Sequence, residues 1–212
     1  MKNYGKLAIG LIAVWFIFAL SASALHVFEN GANRIGLGVA IGALTPIVVF
    51  FLWLAASESF RRFAFSLNPR ILTSAQAWRI VGFTFVLLEA RGALPAIFAL
   101  PAGYGDMAIG ATASFVAWKL ASPAHRNSFV LWQLLGITDL VIAVSLGTTA
   151  GLISPQGPSM APMTTLPLCL IPTFLVPLFV IFHVICIGQA RSWKAVSESA
   201  PQTMRPAQHP AV

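Results

Sequence analysis

In a chain of 212 residues, 58% are hydrophobic and only 9% are charged, far below the roughly 25% charged content of a soluble domain. This excludes a water-soluble globular protein. The net charge of +7 would suit a nucleic-acid binder only if the basic residues formed a surface stripe; they fall instead between apolar runs, so they report membrane orientation and exclude a nucleic-acid partner.

The expected fold class is all-α: a polytopic membrane helical bundle whose immediate partner is the lipid bilayer. A bilayer core about 30 Å thick needs about 20 apolar residues per helix. Six stretches meet or approach that length, at 7–25, 35–56, 78–100, 102–120, 129–150 and 167–188. They predict one six-helix transmembrane domain over residues 1–190, followed by a polar tail over 191–212 that reads as disordered.

The first stretch, with Lys2 and Lys6 ahead of it and "SASALH" behind it, also has the pattern of a signal peptide cut after Ala24. The length of its apolar run favours a retained helix. Gly38 and Gly42 in the second stretch, and Gly147 with Gly151 in the fifth, are GxxxG pairs that allow close helix packing. Phe60, Phe63, Ala64 and Leu67 follow i, i+3, i+4, i+7 spacing, which suggests an amphipathic turn on the interface or a polar continuation of the second helix.

Asn68-Pro69 breaks the chain ahead of the third stretch, and Thr73 with Gln76 has capping-box spacing just before it. Within that stretch Pro95 cannot donate to the carbonyl of Arg91. Pro101 is expected to make a sharp turn, with Gly103 and Gly105 forming a tight turn and Asp106 either capping the next helix or lying inside it. In the sixth stretch Pro172 and Pro177 free the carbonyls of Leu168 and Thr173. Cys169 and Cys186 are about 25 Å apart along one helix and cannot bridge.

Lys2, Lys6, Arg61, Arg62, Arg70, Arg79, Lys119, Arg126, Arg191, Lys194 and Arg205 fall on one side of a six-helix arrangement, with only Arg34 and Arg91 elsewhere. By the positive-inside rule both termini are cytoplasmic, and the expected location is the cytoplasmic (inner) membrane of a bacterium.

Glu89, Arg91, Asp106, Asp139 and His183 remain inside apolar segments. A charge at mid-bilayer costs several kcal/mol (roughly) unless paired or hydrated, so such residues face the bundle interior and mark pathways or sites. The three carboxylates are expected about 15 to 20 Å above the cytoplasmic boundary, with His183 at about 12 Å. Arg91 is two residues from Glu89, on nearly the opposite face of a helix, so its expected partners are Asp106 or Asp139.

"GYGD" followed by an apolar helix resembles the GxGD motif of intramembrane aspartic proteases such as prepilin peptidases and presenilins. That resemblance, over about ten residues, implies a second aspartate completing a dyad that shares one proton. The only acid available is Asp139, which follows Asp106, whereas in those families the partner precedes the motif. P-loop, HExxH, CxxC and GxSxG patterns are absent, and the four histidines give no pair at one depth, so neither cofactor nor metal is expected.

The leading expectation is a small permease or transporter-like bundle in which Glu89, Asp106, Asp139, Arg91 and His183 bind a small molecule or ion, or relay protons. The rival is a non-catalytic accessory subunit, in a homo-oligomer or larger membrane complex, whose charges only fix packing.

Overall fold

The structure, a computed structural model, describes residues 2–29 and 36–193. Arg34, Lys194, Arg205 and the expected tail from residue 194 onward lie outside them. The described residues are helical with no strand, and five of the helices are long and apolar enough to cross a membrane. Ile9, Val14, Phe18, Leu52 and Trp118 are all more than 60% exposed. An apolar surface this extensive suits lipid rather than water.

α1 spans Lys2–Ala24 and α2 spans Leu37–Ala56. The short α3, Glu58–Ala64, buries Phe60 and Ala64 and turns Arg61 and Arg62 outward. Its amphipathic spacing is the one read from Phe60, Phe63, Ala64 and Leu67.

The third span starts nine residues earlier than expected. The Asn68 side chain accepts the Arg70 backbone N–H at 2.9 Å, and Pro69 occupies the first helical position, where a missing N–H costs nothing. From there α4 (Pro69–Ala75), a 3₁₀ stretch (Gln76–Gly82) and α5 (Phe83–Ala90) form one continuous segment. The capping box at Thr73 and Gln76 is therefore corrected: both residues are fully buried within the segment. Three residues per turn stack i and i+3 directly, so Gln76, Arg79 and Gly82 form one buried line.

The break between the third and fourth spans also moves. The Gly92 N–H bonds the Glu89 carbonyl at 2.7 Å and the Ala93 N–H bonds the Leu88 carbonyl at 2.8 Å, with Gly92 at φ +69°. This is the Schellman ending that glycine permits. Pro95 then caps α6, Ala96–Phe115, which runs on as a π-helical turn, Val116–Leu120. The tight turn at Pro101, Gly103 and Gly105 is thus corrected: all three are helical, Asp106 is not a cap, and the turn lies between Arg91 and Pro95. The idea that Pro95 frees a helical carbonyl at Arg91 falls for the same reason, since Arg91 is already outside the helix.

α7, Arg126–Ile153, is followed by a loop with a 3₁₀ turn at Ala161–Thr164. A π turn, Ile171–Leu175, then leads into α8, Val176–Ser192, which carries Arg191 and Ser192 beyond the expected helix end. Pro177 cannot donate to Thr173, and the Thr173 carbonyl accepts the Trp15 indole N–H from α1 at 3.2 Å.

Successive long helical segments run alternately up and down. At one end Tyr4 stacks on Phe63, Arg70 lies over Trp118, and Arg126 Nε donates to the Ala190 carbonyl at 2.7 Å, closing the C-terminus of α8. At the other end the Gly36 N–H donates to Thr148. Trp15 and Phe16 of α1 meet Phe174, and an apolar cavity of ≈620 Å³ lies between α1, α2 and α8.

Candidate functional site

Arg79 is the centre of the site, and sequence reasoning assigned it to the cytoplasmic boundary. Because the span begins at Pro69, Arg79 lies ten residues inside it and is only 3% exposed. Its Nε donates to Asp106 Oδ1 at 2.6 Å, its Nη2 donates to Asp139 Oδ2, and its Nη1 donates to the Gly136 carbonyl at 3.2 Å. One planar guanidinium fork therefore holds carboxylates from α6 and α7 together, a geometry that a lysine ammonium does not offer.

His183 on α8 completes the cluster. Gln133 donates through Nε2 to Thr73 Oγ1 at 3.0 Å, so its Oε1 is the acceptor for His183 Nδ1 at 2.5 Å. The proton on Nδ1 leaves Nε2 as a lone pair, which faces Arg79 Nη1 at 3.4 Å. Thr73 Oγ1 in turn meets Cys186 Sγ at 3.7 Å, and that thiol lies 3.8 Å from the Pro69 carbonyl. A string of hydrogen bonds thus runs from Arg79 to the start of α4. The imidazole adds no charge in this tautomer, so two carboxylates face one guanidinium.

Glycines allow this convergence. A Cβ on Gly110 would meet the backbone of Arg79 and Ile80; one on Gly105 would overlap the Asp139 carboxylate; one on Gly136 would overlap the His183 ring. The glycines of "GYGDMAIG" serve helix contact rather than a turn.

Of the expected site residues, Asp106, Asp139 and His183 come together. Glu89 and Arg91 do not. With the span starting at Pro69, Glu89 lies at the far end of α5 and Arg91 is exposed in the turn beyond it. Neither makes a salt bridge among the described residues. The pairing expected of Arg91 with Asp106 or Asp139 is therefore made by Arg79. Pro95 lies at the real turn, whereas Pro101, Gly103 and Gly105 lie along α6.

Asp106 also lines a cavity of ≈180 Å³ that opens toward the end of the bundle opposite the basic residues, where Met160, Ala161 and Thr164 of the loop after α7 form part of its wall. Phe85, Phe98 and Leu140 also line it. Asp106 Oδ2 accepts no hydrogen bond among the described residues. No hydrogen bond joins the two carboxylates to each other among these residues, as a proton-sharing dyad would require; Arg79 lies between them.

No curated protein and no solved structure matches the chain. A family model does match it, over residues 34–191, which take in α2 through nearly all of α8 and every residue of the charged cluster. The chain belongs to the family described as domain of unknown function DUF8737.

Proposed function

We propose that the protein is a six-span permease-like bundle of the bacterial cytoplasmic membrane, with both termini cytoplasmic, and that Asp106 and Asp139 bind a proton or a small cationic solute beside Arg79. The observation that carries this reading is the charge ratio. A buried guanidinium needs one carboxylate, and a second one in the same cluster calls for a further positive charge. The cavity ending on Asp106 offers a route to it.

The fourth span, 96–120, is helical throughout and about 37 Å long at 1.5 Å per residue. Its apolar character is diluted by the residues that build the site, Gly103, Gly105, Asp106 and Gly110. With Arg79 removed from the boundary count, Lys2, Lys6, Arg61, Arg62, Arg70, Lys119, Arg126 and Arg191 still fall at one end of the described spans, which supports the orientation. The protease alternative draws less support, because Arg79 separates the two aspartates.

Proteoliposomes containing a trapped pH dye and given an external acid pulse test the reading. Wild-type protein should speed proton entry, and Asp106→Asn and Asp139→Asn at equal reconstitution should not. Equal rates in all three would favour an accessory subunit whose charges serve only packing.

A further inference from the structure

We propose that the cavity above Asp106 binds a small organic monocation, an alkylammonium of about five to eight non-hydrogen atoms, with its charged nitrogen on Asp106 Oδ2. The inference rests on the permease reading and names the substrate class of that site.

Three observations converge on this class. The first is charge. The cluster holds two carboxylates and one guanidinium, and His183 is committed as a neutral acceptor toward Arg79. Asp106 is only 8% exposed and its Oδ2 is without a partner among the described residues, while the residue itself forms part of the cavity wall. An anion there would meet a carboxylate with no free donor, since the Arg79 nitrogens are turned to Asp106, Asp139, Gly136 and His183.

The second is size. A cavity of ≈180 Å³ far exceeds the roughly 10–15 Å³ that one water needs and slightly exceeds the roughly 150 Å³ of an engineered apolar cavity that takes benzene. The third is wall chemistry. Phe85 and Phe98 supply aromatic rings, Met160 and Met163 supply thioethers, and Thr148, Ser154 and Thr164 are the hydroxyl residues of the wall. Such a wall suits an alkyl chain with a cationic head, because aromatic rings attract cations and polarizable methionines adapt to irregular apolar shapes. A metal ion would want several oxygen ligands, and the described residues contain no group of three His, Cys, Asp or Glu placed to hold one.

Melting curves of the purified full-length protein in detergent test the proposal, with n-butylammonium chloride, n-butanol, tetrabutylammonium chloride and sodium chloride as probes at matched concentration and ionic strength. The expected result is a saturable rise of a few degrees with n-butylammonium alone. Asp106→Asn should abolish it, and so should Met160→Trp, which fills the cavity from the loop and leaves the charged cluster intact. A rise of equal size with sodium chloride or butanol, no rise with n-butylammonium, or a rise that persists in Met160→Trp would overturn the proposal. The acid-pulse assay separates the two claims. Asp106-dependent proton entry without alkylammonium binding sinks the substrate class and leaves the permease reading standing, and loss of both sinks both.

Discussion

Arg79 makes four polar contacts in four directions: Asp106, Asp139, the Gly136 carbonyl and His183. A lysine at this position keeps the charge and loses the fork, so it cannot hold both aspartates in their observed places. Arg79→Lys is therefore expected to lower the stability of the detergent-purified protein by about 1–3 kcal/mol, the range for breaking charge-assisted hydrogen bonds, as measured by chemical unfolding. Unchanged stability would mean that the fork is not used. Asp106, Asp139 and His183 were legible in the sequence because a polar group inside an apolar run stands out. Arg79 was not, because it lies close enough to the polar stretch before it to pass for a boundary residue. Its position follows from Asn68-Pro69, a cap followed by a first-turn proline, together with Thr73, Gln76, Arg79 and Gly82 repeating every three residues.

At the scale of helices, prolines and glycines decide where the segments break and which carbonyls are left to other partners. Pro177 was expected to free the Thr173 carbonyl, and that carbonyl takes the indole N–H of Trp15. The partner was invisible in sequence because it comes from a helix 158 residues away. Trp15→Phe should destabilise the protein by about 1 kcal/mol, the net value of one hydrogen bond. In a Pro177→Ala background, where a backbone N–H is restored, the loss should be smaller; an identical loss in both backgrounds would show that the carbonyl does not depend on Trp15. The break after α5 differs from the expected one because its glycine is the less conspicuous in the sequence. "PAGYG" looked like a turn, yet its glycines face Asp139, Val86 and the 3₁₀ stretch, whereas the less prominent Gly92 makes the Schellman ending.

The whole molecule is a bundle with a basic end and an end capped by an uncharged loop. Its all-helical, membrane-embedded character was legible from composition alone, because few charges in a long apolar chain leave no other solvent. The convergence of α6, α7 and α8 on the guanidinium of the 3₁₀ stretch was not, since it depends on which faces meet. The two cysteines are buried, which gives a quiet background for labelling. Single cysteines at Ser122 and Ser159 are expected to react with an impermeant maleimide from opposite sides of the membrane, with Ser122 on the side of the termini. Labelling of both from one side would remove the six-span topology.

One carboxylate in excess over the guanidinium is what leaves a place for a cation, and a comparison of stabilities tests that excess most directly. Asp139→Asn leaves Arg79 paired with Asp106 and the cluster neutral; Arg79→Met leaves two buried carboxylates with no cation, a loss on the order of 3–5 kcal/mol. The measurement is the unfolding free energy of the two variants beside the wild type in one detergent. Asp139→Asn should lose far less than Arg79→Met, because it keeps one intact pair and a neutral cluster, whereas Arg79→Met leaves buried charge unpaired. Asp139→Asn falling as far as Arg79→Met would show that both aspartates are structural partners of Arg79, with no charge left over for a ligand.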